Sequence, residues 1–304
     1  MGNASAGCES GLKRKRQKEM KRARAIVVVR LLFFVLLFSI TALGQDVTVY
    51  AEKLRHGNVE EKREALLQIR NLHSAEASRV AVTALSDKTP IVRATAASSV
   101  IFLPQSEASA ALLPLLKDKD PFVRREGAFA LGEVGDPSAG SQLLSVLSSD
   151  KDPEVKTAAA VALGKVGDPS AVPVLGKLFD QAPTEDNEMF RSAAAKSIGQ
   201  IAEKMRTGKV TILTPQNFLP EKYKDFGTKP TPDLLSHFST AERTLVRVLE
   251  SSSENDDTRR QAAFSLGAIG DRSSETILSK YTSSPDPYLA EICREALMKL
   301  KLTE

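Results

Sequence analysis

Side chains able to do chemistry are few in this sequence, and their spacing suits few reactions. The three histidines, His56, His73 and His237, stand far apart, and none forms a His-Glu pair. A zinc site needs clustered cysteine and histidine ligands, whereas the only cysteines are Cys8 and Cys293, near opposite ends of the chain. Neither a Gly-x-Ser-x-Gly nucleophile turn nor a phosphate-cradling glycine loop occurs. Cys293 lies among apolar neighbours in a helical stretch, where a cysteine serves as a small buried hydrophobe rather than a nucleophile. The expectation is a chain with no catalytic residue, no cofactor and no metal.

Charge, by contrast, recurs at fixed intervals. Arg93, Arg124, Lys156, Arg191 and Arg259 fall at one position of a repeated pattern, and Asp136, Asp168 and Asp271 at another. Such residues could line a charged binding face or tie the repeats together. A residue present in every unit serves what every unit must do, whereas a site usually breaks the repeat. The structural reading is therefore preferred for this ladder.

The elements that position these residues are written twice between 118 and 179, as DKDPFVRREGAFALGEVGDPSAGSQLLSVL and DKDPEVKTAAAVALGKVGDPSAVPVLGKLF. Sixteen of thirty positions are identical at an offset of 32. Each half of each copy opens with Asp-Pro, at Asp120-Pro121, Asp136-Pro137, Asp152-Pro153 and Asp168-Pro169. The carboxylate caps the free N–H groups of a first helical turn, and proline fits at the next position because its missing N–H would be unpaired anyway. Gly135 and Gly167 supply the left-handed residue that ends a helix. The unit is a helix hairpin, and a stack of such hairpins is an all-α solenoid.

The pattern extends in both directions. Residues 45–54 read as a short capping helix, and 59–72 with 74–85 as a degenerate first unit. The second runs from Thr89-Pro90 to 116, with Pro104 in place of the turn glycine. A fifth unit starts at 189–202 and is interrupted, a sixth occupies 257–281, and a half unit at 286–300 closes the chain. Small residues recur beneath the charged row at Ala97, Ala128, Ala160, Ala195 and Ala263, with Leu131, Leu163 and Leu266 filling the space between layers. The interruption concentrates at 206–232, a proline-rich stretch carrying Phe218, Tyr223 and Phe226 as a candidate partner-binding insert. A helix is expected to resume near Ser239, whose spacing to Glu242 fits a capping box.

The motifs D-P-x-V-R/K and A-L-G-x-V/I-G-D, with their period of 31 to 32 residues, resemble those of the HEAT-repeat superfamily, and most closely the short HEAT-like repeats of the phycobilisome-lyase type. The resemblance implies a right-handed superhelix of antiparallel helix pairs over about 75–300, in which recurrent charges tie one repeat's helix to the next repeat's turn. Most proteins of this kind bind other proteins, and a minority are enzymes. One enzyme branch, the deoxyhypusine hydroxylases, builds a di-iron site from His-Glu pairs that this sequence lacks. Bilin lyases of this repeat type act in the cytoplasm of phototrophs, whereas this chain carries a leader.

That leader spans 1–44. The apolar run LLFFVLLFSITAL at 31–43 follows a basic flank and precedes Ala42-Leu43-Gly44, a pattern that describes a secretory signal peptide. An uncleaved anchor over 25–43 is the rival reading, although thirteen uncharged residues fall short of the roughly 20 that cross a bilayer. Met20 would begin a leader of ordinary length. Both readings leave the repeats of 45–304 outside the cytoplasm, periplasmic or secreted, because the basic flank stays inside. The leader's nine basic and two acidic residues, removed from totals of 42 and 38, leave 33 and 36, so the net charge of +4 becomes about −3 in the body. No nucleic-acid footprint is expected from such a body. The function expected is an exported, non-enzymatic scaffold docking another protein through the solenoid surface, including Ser138, Gln142 and Ser145, and through the insert. The membrane enters only through the N-terminal segment. An accessory subunit or enzyme modifying a protein substrate, lyase-like, is the alternative.

Overall fold

The computed structural model describes residues 47–208 and 230–301, and the regular elements within them are helices with no strand. A helix over 47–56, α1, precedes six helix pairs. These are α2 Val59–Asn71 with α3 Ala75–Ala81, α4 Pro90–Ser99 with α5 Gln105–Leu112, and α6 Pro121–Val134 with α7 Gly140–Ser149. They continue as α8 Pro153–Val166 with α9 Val172–Lys177, α10 Glu188–Thr207 with α11 Pro232–Glu250, and α12 Asp256–Ile269 with α13 Glu275–Lys280. The unpaired α14, Pro287–Lys301, closes the array. The first helices of the pairs stack in chain order from α2 to α14, each touching the next, and the second helices lie against them as a second layer.

Local chemistry starts and stops these helices where the sequence places the signals. The Asp120 carboxylate accepts from Phe122 N at 3.0 Å, and Asp152 accepts from Glu154 N at 2.9 Å. Gly135 and Gly167 adopt φ of 67° and 76°, ending α6 and α8. In the second halves the cap lies one step earlier than the α-helix. Asp136 and Asp168 open single 3-10 turns, Pro137–Ala139 and Pro169–Ala171, from which α7 and α9 then continue.

Packing follows from small residues on the first helices. Ala97, Ala128, Ala160, Ala195 and Ala263 are fully buried, as are Leu131, Leu163 and Leu266. Closest approach occurs four residues beyond those alanines, at Gly132, Gly164, Gly199 and Gly267. A Cβ on Gly199 would lie 2.9 Å from the Cα of Ser265, and one on Gly267 would lie 2.7 Å from the Cα of Ala296. At Gly132, Gly199 and Gly267 one helix rests on the backbone of the next, whereas Gly164 makes room for the side chains of Ser197 and Gln200.

Two expectations are corrected. Helix α11 does not start near Ser239 but at Pro232, with the Thr231 hydroxyl accepting from Leu234 N at 3.3 Å. The buried stripe Leu234, Phe238, Ala241, Leu245 and Val248 runs through Ser239 without a break. Glu242 is therefore no capping residue; it is buried and accepts from Ser274 Oγ at 2.6 Å. The interruption is also shorter than 206–232, because α10 continues through Thr207 to a left-handed Gly208 at φ 72°. Arg206 lies in that last turn, and its Nη1 donates to the carbonyl of Ala268 at 2.7 Å. The interruption thus separates the two helices of a single pair, α10 and α11.

Gly199→Ala is expected to destabilise the protein by about 1–3 kcal/mol, because a methyl there forces two backbones apart. Gly176→Ala, at a helical site with nothing within 4 Å of the new methyl, is expected to be neutral or stabilising by up to about 1 kcal/mol. Urea unfolding of the two variants checks both signs.

Candidate functional site

The recurrent cations occupy the fourth position of each first helix, one turn past the cap. Arg93 Nε and Nη2 bind both oxygens of Asp118 at 2.7 and 2.8 Å, and Arg124 binds Asp150 the same way at 2.7 and 2.9 Å. Each arginine also reaches backwards. Arg93 Nη1 donates to the carbonyl of Asp87 at 2.8 Å, and Arg124 Nη1 to that of Asp118 at 2.9 Å. The turn at Asp118 is therefore held from both sides: its aspartate side chain by Arg93 of the preceding unit, its carbonyl by Arg124 of its own unit. The same carboxylate closes the turn, since Asp118 and Asp150 accept from Asp120 N and Asp152 N at 2.9 Å.

The carboxylates in this ladder are Asp87, Asp118 and Asp150, which sequence reasoning did not single out. Their signal was present in the repeated D-K-T-P and D-K-D-P turns, where the first aspartate recurs with the period of the units. Lys62 was missed as well. It stands at the same helical position in α2, and its Nζ lies 2.6 Å from Asp87 Oδ2. The aspartates that were singled out do a different job: Asp136, Asp168 and Asp271 accept from Ser138 N, Ser170 N and Ser273 N at 3.0, 2.9 and 2.9 Å, capping turns inside their own pairs.

Three positions depart from the pattern. Arg191 pairs with Glu254 through its Nε at 3.0 Å, across 63 residues of chain, and both side chains are buried. Arg259 caps Leu249 O at 3.1 Å and lies 3.7 Å from Asp256, while its neighbour Arg260 takes the next turn's carboxylate, Asp286, at 2.8 Å. The exchange follows from the turn: Asp286 directly precedes α14, two residues nearer the helix than its counterparts. Lys156 has no carboxylate partner among the described residues, because the connection after α9 is longer and its Asp180 lies 3.9 Å from Arg247 instead.

The second-layer face is open where the ladder is regular. A groove of about 510 Å³ runs between the end of the second unit and α7. Leu113, Leu116 and Val146, buried or half-buried, are its apolar lining, and Arg124, Asp150 and the exposed Ser141, Gln142, Ser145, Ser149, Lys117 and Lys151 are its polar lining. Gln142 and Ser145 are exposed in this groove, and Ser138 is exposed outside it. Phe218, Tyr223 and Phe226 lie outside the described residues, as does the leader.

Titratable groups elsewhere are structural in setting. His56 lies 3.6 Å from Glu52, and His237 lies 4.0 Å from Asp233. His73, with φ 48°, packs edge-on against Phe102. No three metal-ligating side chains converge among the described residues. Burial pushes the Cys293 thiol up to about 12, which keeps it protonated and poorly nucleophilic. Between α10 and α14, Lys299 Nζ sits 3.1 Å from Glu203 and 3.2 Å from Glu295, all three side chains being buried, and burial raises the Glu203 carboxyl above its ordinary range.

Helix pairs stacked in two layers and stitched by turn-to-turn ion pairs define an α-solenoid, a repeat scaffold of the kind typical of protein binding. The HEAT-repeat profile matches residues 48–128 and 109–198, and the PBS lyase HEAT-like repeat profile matches 258–283. The chain belongs to the HEAT-repeat superfamily. Curated proteins include no match to it. Among solved structures it is similar to an engineered protein, at 20% identity over 84% of this chain and 96% of that one, with a TM-score of 0.46. It is similar to the complex of CpcE and CpcF of phycocyanin lyase from Nostoc sp. PCC7120, at 18% identity over 84% and 93%, with a TM-score of 0.47. Human deoxyhypusine hydroxylase in complex with glycerol matches at 18% identity over 86% and 98%, with a TM-score of 0.36.

Arg124→Ala is expected to cost about 3 kcal/mol, because it leaves the Asp150 carboxylate shielded and unpaired. The hydrogen bonds from Arg124 hold the Asp150 carboxyl below its ordinary 3.8, against the opposing effect of burial. A depressed carboxyl gives stability that is present above about pH 4 and lost as pH falls through the folded-state value. Asp150→Asn should therefore be less stable than the wild type at pH 7 and should lose less of its remaining stability on acidification, as read from thermal unfolding between neutral pH and pH 3.

Proposed function

We propose that this chain is exported by its N-terminal leader and works as a non-enzymatic scaffold that docks another protein on its second-layer face. The groove beside α7 carries this reading. Its Ser141, Gln142 and Ser145 side chains are exposed and make no contact that stacking needs, while its Leu113, Leu116 and Val146 lining is apolar. A surface of small polar side chains with an apolar lining can accept the main chain and side chains of a partner without rearrangement. The insert between α10 and α11, with Phe218, Tyr223 and Phe226, supplies a second contact on the same partner.

Crosslinked capture from the extracytoplasmic fraction tests this. Ser145→Arg, which fills the groove, is expected to abolish recovery of the partner while circular dichroism stays unchanged; undiminished recovery would remove the groove from the mechanism. Replacement of 209–229 by a Gly-Ser linker is expected to weaken recovery. The intact mass of the exported protein is expected to correspond to a chain beginning at Gln45.

A further inference from the structure

From α5 to α9 the fold uses its acidic side chains and leaves its lysines over. Asp118 and Asp150 are held by the ladder, Asp120, Asp136, Asp152 and Asp168 cap helical turns, and Glu107, Glu133 and Glu154 pair with Arg79, Lys165 and Arg125. Lys117, Lys151 and Lys177 are exposed, and neither they nor Lys156 make an ion pair or side-chain hydrogen bond among the described residues. The formal charges of this stretch nearly balance, but its carboxylates are held in ion pairs or helix caps, so the charged side chains free to turn to a partner are lysines.

Two of those cations line the groove, and the other two hold groove positions one repeat further on. Lys117 and Lys151 line it directly. Lys177 occupies, one repeat of 32 residues further on, the place that Ser145 holds in the groove lining. Lys156 stands at the ladder position of Arg124, another groove-lining residue, but without the carboxylate that neutralises Arg124.

We infer that the groove takes an extended, acidic polypeptide segment running from the end of the second unit across the third and onto the fourth, an assignment that rests on the docking reading above. Packed helices lie about 8–10 Å apart, and an extended chain advances about 3.3 Å per residue. Carboxylates roughly three residues apart would therefore meet cations on successive units, with small or apolar side chains between them seated over Leu116 and Val146. A recessed apolar lining between two cations suits a narrow chain better than a flat anionic membrane, whose headgroups would not reach it.

The probe is a fluorescent peptide of four Asp-Val-Thr repeats, with Lys-Val-Thr and Asn-Val-Thr peptides as controls, titrated against the full chain. The acidic peptide is expected to bind, to weaken as salt rises, and to lose about tenfold or more in affinity in the Lys117→Glu/Lys151→Glu variant. Both lysines are exposed, and unchanged thermal unfolding verifies that the variant is folded. Lys177→Glu should give a smaller loss in the same direction. Equal binding of the lysine or asparagine peptide, or no binding up to about 1 mM, overturns the inference. So does loss of phosphatidylglycerol-vesicle binding in the double variant with peptide affinity unchanged. Partner capture separates the two levels: a partner lost with Ser145→Arg but retained by the double variant overturns only the acidic assignment, whereas a partner retained by both overturns the docking reading itself.

Discussion

Backbone contact between neighbouring helices is the constraint on which the array depends. At Gly132, Gly199 and Gly267 a Cβ would meet the main chain of the next first helix, so from α6 to α8 and from α10 to α14 the helices sit at distances set by main chain rather than by side-chain length. A spacing fixed in this way repeats faithfully, and the alanines and leucines around it are buried because the spacing is close. Dispersion and apolar burial then act over the whole seam, at roughly 25 cal/mol per Å² of apolar surface removed from water.

Constant spacing is what allows one arginine to serve two turns. Arg93 and Arg124 each span from the carbonyl of their own turn to the carboxylate of the next, a reach that works only if units advance by the same step. Where the step changes, the pairing changes with it. The longer connection after α9 leaves Lys156 without a carboxylate, and the carboxylate of Asp286, placed directly before α14, hands the role of Arg259 to Arg260. The groove beside α7 lies in the regular part, where fixed turns flank it and no helix among the described residues covers it.

Most of the fold was legible in the sequence, since Asp-Pro starts, glycine stops and a period of 32 are local signals with local causes. The boundaries of the fifth pair were not. Ser239 and Glu242 have capping-box spacing, but an apolar stripe on α11 that begins at Leu234 outweighs it, and the Ser-x-x-Glu spacing ends up mid-helix. The ladder was half legible. Its cations were visible as a column, and Asp136, Asp168 and Asp271 as another, but the carboxylates of Asp118 and Asp150 that meet Arg93 and Arg124 were not, because sequence shows which residues recur and not which recurrent residues meet. The groove was anticipated only as Gln142 and Ser145; its lysines became informative once the partners of every nearby carboxylate were known.

The buried contacts of the C-terminal third do something the regular units cannot. Lys62, Arg93 and Arg124 all reach for the same kind of turn, so a chain docked one unit out of step would satisfy them again. Lys299 with Glu203 and Glu295, its ammonium also over the ring of Phe264, has no counterpart elsewhere among the described residues. A misaligned chain would bury these charges without partners, at a cost of several kcal/mol. They act as registration marks, by which a repetitive chain distinguishes its correct alignment from its near copies.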